Sequence, residues 1–281
     1  MKCFITGVTG SLGQQVCQML LLKGHEVIGY SRDENKQGLI PNKEKLTLYL
    51  GDVRDEKRLL EATRNVDLIF HFAALKHVEK VEANPEEGIS TNVLGTMNVL
   101  YAQRINEIPK VILSATDKGA YPINVYGATK LLAERLTLRN PNNVVCRYGN
   151  VLASRGSVVE KFVKSLLKEK TVYITDDTMT RFWITIEEAA GFVVTNALAK
   201  GGGLKIPVMR GAHILTLAQA VAEVLSIKAF EIKNIGARPG EKVHECLRTE
   251  YEGEEVHSNT VVPYAPEELV EILKPIIGRI L

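Results

Sequence analysis

An open α/β sheet, mostly parallel and covered by helices on both faces, is the fold class this sequence predicts. Three observations predict it. Short apolar runs alternate with segments of helical period through the first half of the chain. A glycine-rich turn stands between the first apolar run and the first helical segment. The chain has 281 residues, 45% of them hydrophobic and 24% charged, enough for a sizeable core in one large domain or one domain with an appended lobe. Alternation of this kind is what strands buried on both faces and joined by helical crossovers produce.

Taken in order, Lys2–Ile5, Glu26–Tyr30, Leu46–Leu50, Leu68–Phe72, Val111–Ser114 and Val144–Arg147 read as the buried strands. Segments near Ser11–Lys23, Glu56–Thr63, Thr91–Ile105 and Tyr126–Leu138 read as the helices between them. After Gly149 the pattern loosens. Ser157–Lys168, Glu187–Ala199 and Thr216–Leu225 read as helices, and Gly201–Gly203 as a turn. The second half offers too little regular strand–helix–strand pattern for a second sheet of its own, so a smaller lobe closing over the first is expected there. Internal repeats and low-complexity tracts are not seen.

The bulk numbers narrow the function. A net charge of +2 gives no strong basic field for nucleic acid or an acidic membrane. Cys3, Cys17, Cys146 and Cys246 form no C-x-x-C, so neither a metal site nor a disulfide framework is indicated. His71, His77 and His244 lack metal-ligand spacing and read as packing or supporting groups. The start, MKCFITGVTG, lacks a signal-peptide layout, and the apolar runs are too short to span a bilayer. A soluble cytoplasmic protein is the expectation.

Thr6-Gly-Val-Thr-Gly-Ser-Leu-Gly13 follows the first strand and opens the first helix. Gly7 would allow the tight turn, Gly10 the approach of a pyrophosphate, and Gly13 close helix–strand packing, with Thr6, Thr9, Ser11 and Leu12 around the phosphates. This is the layout of a Rossmann-type doubly wound domain. A site for NAD usually offers a carboxylate to the ribose at the end of the second strand. Here that strand ends Gly29-Tyr-Ser-Arg32, with Lys36 beyond and Asp33 the only acid close by. Ser31, Arg32 and Lys36 suit a 2′-phosphate, which favours NADP; a solvated basic loop is the alternative.

Tyr126 and Lys130 stand four apart, on one face of a helix. An ammonium beside a phenol favours phenolate, so Lys130 is expected to lower the Tyr126 pKa. The tyrosine could then take a proton from a sugar hydroxyl while a hydride leaves the same carbon for a nicotinamide. Lys76, just past the fourth strand, stands at the strand end where ligands bind in such sheets. Phe182 and Trp183 read as core of the small lobe.

These features together resemble the extended short-chain dehydrogenase/reductase superfamily over most of the chain. Within it, the chain is similar to the inverting UDP-N-acetylglucosamine 4,6-dehydratases. The matching stretches are Ser31-Arg-Asp-Glu34, Ala73-Ala-Leu-Lys-His-Val78, Thr91-Asn-Val-Leu-Gly-Thr96, Thr116-Asp-Lys118, Pro122-Ile-Asn-Val-Tyr-Gly-Ala-Thr-Lys130, Arg147-Tyr-Gly-Asn-Val151, Met179-Thr-Arg-Phe-Trp183 and Arg238-Pro-Gly-Glu-Lys242. The departures are Gly119-Ala-Tyr121, where two alanines and an asparagine are expected, and a C-terminus that ends early.

The resemblance implies a reaction. C4 of the hexose is oxidised first, because a C4 ketone acidifies the C5 proton. By the family's assignment Lys118 is the base that removes this proton and Asp117 the acid that protonates the leaving C6 hydroxyl. The retaining relatives carry Asp-Glu in that place, and the lysine would account for reprotonation on the opposite face. The resemblance further implies Asp52, Val53, Ala73, Ala74, Lys76, Asn92 and Ser114 on the cofactor, with Asp52 and Val53 near its adenine. Lys76, Thr116, Tyr148, Asn150, Arg181, Arg238 and Glu241 would lie on the substrate, the two arginines and Asn150 gripping the diphosphate of UDP. Residues 1–150 would be the NADP-binding domain and residues 151–281 mainly the UDP-sugar lobe, with some return to the sheet, in a homo-oligomer. Rivals are an epimerase or reductase using Tyr126 and Lys130 alone, an enzyme that forms or uses a 5,6-ene, and a non-catalytic NADP-binding regulator.

Overall fold

The six apolar runs of the first half pair as strands of one sheet, and a seventh strand joins them from much later in the chain. A computed structural model describes residues 1–281 apart from Asn42 and Ala153. The first half runs β1 (Lys2–Thr6), α1 (Ser11–Leu22), β2 (Glu26–Ser31), α2 (Glu34–Gly38), β3 (Leu46–Leu50), α3 (Glu56–Ala62), β4 (Leu68–His71), α4 (Val78–Ala83), α5 (Pro85–Gly88), α6 (Gly95–Ile105), β5 (Lys110–Thr116), α7 (Val125–Thr137) and β6 (Val144–Tyr148). Then come β7 (Asn150–Val151), α8 (Val158–Glu169), β8 (Thr171–Ile174), β9 (Thr180–Ile184), α9 (Ile186–Leu198), β10 (Gly203–Lys205), β11 (Arg210–His213), α10 (Ile214–Val224), β12 (Glu231–Asn234), β13 (Cys246–Arg248), β14 (Val256–His257) and α11 (Pro266–Gly278).

Contacts divide the chain into two compact units. The first is Met1–Arg147 with Glu187–Pro207, and the second Tyr148–Ile186 with Val208–Leu281. In the first, the strand order is β10-β6-β5-β4-β1-β2-β3. The pairs of β1 with β2 and β4, β2 with β3, β4 with β5, and β6 with β10 are parallel. The chain winds outward from β1 to β3, crosses back, and winds outward again from β4. Ligands of such sheets sit at the strand ends where that reversal occurs. Here those ends are Thr6 and His71, which face each other in register. The strands bury both faces: β1, β2 and β4 supply Phe4, Ile28, Tyr30 and Ile69 to a core closed by Leu59, Val99 and Ala102 from α3 and α6.

Three differences from the sequence reading have physical reasons. Gly203 leaves the predicted turn to open β10, a strand of only three residues that periodicity cannot register. The helix expected over Thr91–Ile105 begins as a π-helical stretch, Ile89–Leu94, before α6. The second unit carries sheets of its own: β11-β9-β7, β12-β8 and β13-β14. Its strands are two to five residues long, and β12 is wholly exposed, so neither length nor apolar pattern announced them. Its core gathers Trp183, Phe162, Leu166, Leu217, Val221, Leu269 and Leu273, and Phe182 is also fully buried. Among the described residues no helix is long and apolar enough to cross a membrane.

Candidate active site

In the first unit, β1 ends at Thr6 and the chain turns at Gly7, with φ +70°, into α1. A Cβ on Gly7 would lie 2.8 Å from Ala73 N, and one on Gly13 would lie 2.4 Å from Gly7 O. Only glycine fits either place. Gly10 is the N-cap of α1 and supplies no side-chain cap, so the first turn, Ser11 to Gly13, keeps its backbone N–H groups at the positive end of the helix. That cradle suits a pyrophosphate.

A chain of buried hydroxyls ties this turn to the loop after β4. Thr6 Oγ1 lies 2.7 Å from His71 Nδ1, and His71 Nε2 lies 3.0 Å from Thr96 Oγ1. The Thr96 hydroxyl donates to Asn92 O, so it accepts from Nε2–H, and Nδ1 in turn accepts from Thr6. Thr6 Oγ1 itself accepts from Phe72 N and Ala73 N. The imidazole is therefore neutral, and burial with the nearby Lys130 charge holds its pKa down to about 3. Asn92, placed by the π-helical stretch, accepts from Leu75 N and donates to Leu75 O and Thr129 Oγ1. Its side chain holds the Ala73–Lys76 loop in place and is 2% exposed, so it acts on a cofactor only through that loop. Ala74 lies in the same loop, and Lys76 is exposed there.

At the outer end of β2, Arg32 Nη1 lies 3.4 Å from Asp52 Oδ2, and the guanidinium is half exposed. Asp33 is thus not the only acid nearby: the register of β2 and β3 brings Asp52 alongside. Arg54, unremarked in the sequence, bonds Asp52 Oδ2 through Nη2 at 2.7 Å and Nε at 3.0 Å. Burial raises the Asp52 pKa, but these bonds, with a hydrogen bond from the Arg54 backbone N–H to Asp52 Oδ1, carry it below the ordinary carboxylate range. Asp33 caps α2 and pairs with Lys36, which is committed to it, and Ser31 Oγ accepts from Gln37 Nε2 at 2.9 Å. Val53 puts its side chain in the core, and its carbonyl accepts from Asn98 Nδ2.

The acid–amine pair forms a single turn at the end of β5. Thr116 caps the turn Asp117–Gly119. Its hydroxyl donates to Asp117 Oδ1 at 2.9 Å, and Lys118 Nζ reaches the same oxygen at 3.1 Å. Asp117 is fully buried, whereas the Lys118 side chain is 20% exposed. α7 follows, capped by Asn124 Oδ1 on Gly127 N, and carries Tyr126 and Lys130, both buried.

Tyr126 departs from expectation. Its pKa is pushed up to about 12, because burial outweighs the Lys118 charge and a side-chain hydrogen bond with Thr116, while Asp117 and Glu134 push further upward. Lys130 does not lower it: the Lys130 amine donates instead to Ser114 O at 2.7 Å, and burial carries its own pKa down to about 8. The cation that favours phenolate here is Lys118, eight residues away in sequence and adjacent in the fold. Thr116, Asp117, Lys118, Tyr126, Lys130 and Ser114 thus form one cluster that can pass protons between an amine, a carboxyl and a phenol.

In the second unit, Tyr148 is buried, and Asn150 in β7 pairs with Trp183 in β9. Arg181 is committed internally. Nη1 donates to Thr180 O at 2.7 Å and Val243 O at 3.0 Å, Nη2 to Met179 Sδ at 3.2 Å, and Nε lies 3.9 Å from Glu245 Oε1. Arg181 thus holds the Val243–Glu245 segment beside β9, and these bonds occupy donors that a diphosphate grip would need. Arg238 and Glu241 close one turn, Arg238 N donating to Glu241 Oε2. His244 Nδ1 lies 2.8 Å from Thr180 Oγ1. Glu245, Glu134 and Arg147 are buried charged residues that the sequence pattern gave no reason to single out.

Comparisons with known proteins bear on the family and the fold. The model of a family described as "Polysaccharide biosynthesis protein" matches residues 3–264. A Campylobacter jejuni protein named UDP-N-acetylglucosamine 4,6-dehydratase (inverting) is 44% identical over 259 residues, 86% of this chain and 76% of that one. A Rickettsia conorii protein named UDP-glucose 4-epimerase is 41% identical over 261 residues, with the same two shares. Among solved structures, Pen from Bacillus thuringiensis superposes with a TM-score of 0.93 at 28% identity, covering 100% of this chain and 98% of that one. DesIV, the dTDP-glucose 4,6-dehydratase of Streptomyces venezuelae solved with NAD and TYD, gives 0.80 at 20% identity, covering 96% and 95%, a likeness of fold alone.

Proposed function

The chain belongs to the polysaccharide biosynthesis protein family, and from that membership we propose that it is an inverting UDP-N-acetylglucosamine 4,6-dehydratase. One observation carries the reading: a buried acid and an amine share a turn beside Tyr126. Oxidation of an alcohol needs only the Tyr126 and Lys130 pair. Loss of water from C5 and C6 needs a base and an acid besides.

NADP fits the residues present. The Gly7–Gly13 cradle would hold its pyrophosphate, Arg32 its 2′-phosphate, and the Ala73–Lys76 loop its nicotinamide end. Asp52 is neutralised by Arg54 and Arg32 and so does not oppose that phosphate. When bound, this cofactor supplies hydride exchange from C4 to C6. Everything else falls to the chain. Tyr126 would act as phenolate, the form the Lys118 cation favours before that amine turns base, and its Oη would take the proton of the C4 hydroxyl. Lys118 Nζ accepts the C5 proton, and the Asp117 carboxyl gives its proton to the leaving C6 oxygen. C5 then regains a proton on the opposite face; the proton that Tyr126 took from the C4 hydroxyl closes the balance, reaching C5 by exchange through solvent.

The resting turn already holds the right number of protons for this task. Asp117 and Lys118 as an ion pair differ from a carboxylic acid beside a neutral amine only by one proton moved along the 3.1 Å bond. The neutral pair is the reactive one, and exclusion of water from the turn when the sugar binds would favour it. After elimination the amine has gained a proton and the carboxyl has lost one, which restores the resting pair. Arg238, Glu241 and Asn150 would hold UDP, and the enzyme would work as a homo-oligomer.

The product would be UDP-2-acetamido-2,6-dideoxy-β-L-arabino-hex-4-ulose. The test is incubation with UDP-N-acetylglucosamine in deuterated water, read by NMR from the first minutes. Expected are deuterium at an inverted C5 and the former C4 hydrogen at C6. A D-xylo product throughout the early course would overturn inversion. The Rickettsia relative favours a second reading, 4-epimerisation, which would return the hydride to C4 and release no water.

A further inference from the structure

One buried ion pair of the first unit has no part in the chemistry just assigned. Glu134 and Arg147 are each 1% exposed, with Arg147 Nε donating to Glu134 Oε1 at 3.2 Å and Nη2 to Oε2 at 2.6 Å. Pairing two buried charges returns little more than their desolvation costs, and an apolar pair of like volume often serves a fold as well. Position supplies a use for the charge. Tyr126, Lys130 and Glu134 follow one another at intervals of four along α7, so one helix face carries phenol, amine and carboxylate in file. Glu134 also stands beside the reactive turn: its Oε1 lies 3.1 Å from where a Cβ on Gly119 would be.

We propose that Glu134 is a positioning residue of the active site: locked by Arg147, its carboxylate seats the Asp117–Gly119 turn and stands as the counter-charge of Lys130. The meaning of this role and its turnover measurement rest on the dehydratase reading, whereas the Lys130 titration does not. Around Lys130, β5 offers the Ser114 carbonyl that accepts its amine, β4 the uncharged His71, and the reactive turn Asp117 with Lys118. β6 offers Arg147, already bound to Glu134, and α4 offers Glu82, which accepts from Val125 N. Burial drives the Lys130 amine toward neutrality, and Glu134 is the charge that opposes it. Without that carboxylate the amine would release its proton at lower pH, and Lys130 would lose its charge in the neutral range.

Glu134→Gln alone strands the Arg147 charge, so the test uses Glu134→Gln combined with Arg147→Met, which removes both charges, keeps the length of Glu134 and leaves an unbranched apolar chain at 147. The Lys130 amine, assigned through Lys130→Met, is followed by NMR across a pH titration in protein with nitrogen-labelled lysine. Turnover of UDP-N-acetylglucosamine against pH is measured on the same preparations. The Lys130 midpoint should fall by about one pH unit or more, the effect of losing a close carboxylate, and the alkaline limb of turnover should move down with it. An unchanged midpoint in a folded double variant overturns the proposal, as does a loss of turnover equal at every pH. Should the double variant fail to fold, Glu134→Asp, which withdraws the charge by one methylene, takes its place. A lowered midpoint is again expected and an unchanged one overturns. A midpoint lowered as expected in the variant, together with a wild-type chain that never dehydrates the sugar nucleotide, would sink the functional reading and leave the role of Glu134 standing.

Discussion

Gly13→Ala and Gly191→Ala make the same chemical change in two helices of the first unit and should move stability in opposite directions. On Gly191, within α9, a Cβ meets nothing within 4 Å. Alanine there gains helix propensity of about 0.5–1 kcal/mol with no steric cost. On Gly13, within α1, the Cβ would stand 2.4 Å from Gly7 O, 2.8 Å from Val8 Cα and 3.0 Å from Gly7 C. All three atoms are backbone of the phosphate turn, so no side chain can swing aside. Overpacking of this kind costs about 1–3 kcal/mol, which outweighs the same propensity gain. At roughly 2–4 °C per kcal/mol for a chain of this size, melting temperatures of the two variants should differ by about 2–12 °C, with wild type between them. Isothermal titration with NADP+ and NAD+ supplies the second reading. Gly13→Ala should lose at least about tenfold in affinity for either, because relieving the clash moves the α1 N-terminus off the phosphates, while Gly191→Ala should bind as wild type. A Gly13→Ala protein with native melting and native affinity would refute the close-approach argument.

Tyr126→Phe should lower dehydratase turnover by about 10²–10⁴-fold with an unchanged melting temperature; full activity in that variant would remove the phenol from the mechanism. Arg32→Ala should weaken NADP+ binding by roughly 10–100-fold, the loss of one charge-assisted contact, and leave NAD+ nearly untouched. Equal losses for both cofactors in the titration would count against a 2′-phosphate site at Arg32. Acid should destabilise the fold through His71. It stays neutral in the folded chain down to about pH 3, whereas an unfolded histidine takes its proton near pH 6.5. The stability it contributes is therefore complete above about pH 6.5 and is lost on acidification at up to about 1.4 kcal/mol per pH unit. Urea unfolding of His71→Asn across that range should show a shallower slope, and an equal slope would place the acid sensitivity elsewhere.

The first half of the fold was legible because its strands are short apolar runs, most of them buried on both faces, and its turns obey backbone rules. Lys2–Ile5 and Leu46–Leu50 read off the page as strands, and the glycines of the phosphate turn declared their places. Asp117, Lys118, Tyr126 and Lys130 were legible as chemistry because of their types and spacing, and the fold gathers them at the end of β5. Electrostatics was not legible. That Lys118 and not Lys130 favours the Tyr126 phenolate depends on which way two amines point, and spacing along a helix does not reveal this. Arg181 looked like a phosphate ligand, yet its donors end on Thr180 O and Val243 O, partners that only tertiary structure supplies. The short strands of the second unit, down to Val256–His257, are made by their neighbours and carry no period of their own.

The place of β10 has a consequence for the nascent chain. Gly203, Leu204 and Lys205 cover Val144, Val145 and Cys146 of β6, yet the ribosome makes them only after the whole segment from Tyr148 onward. At roughly 5–20 residues per second, β6 waits some seconds with its outer edge unpaired, and every residue of that strand is one the finished fold buries. A bare apolar edge is what other chains add to. A polypeptide cut after residue 150 would carry that edge permanently, so truncation there should yield aggregates, whereas splicing Glu187–Pro207 back onto the first 147 residues should yield soluble protein.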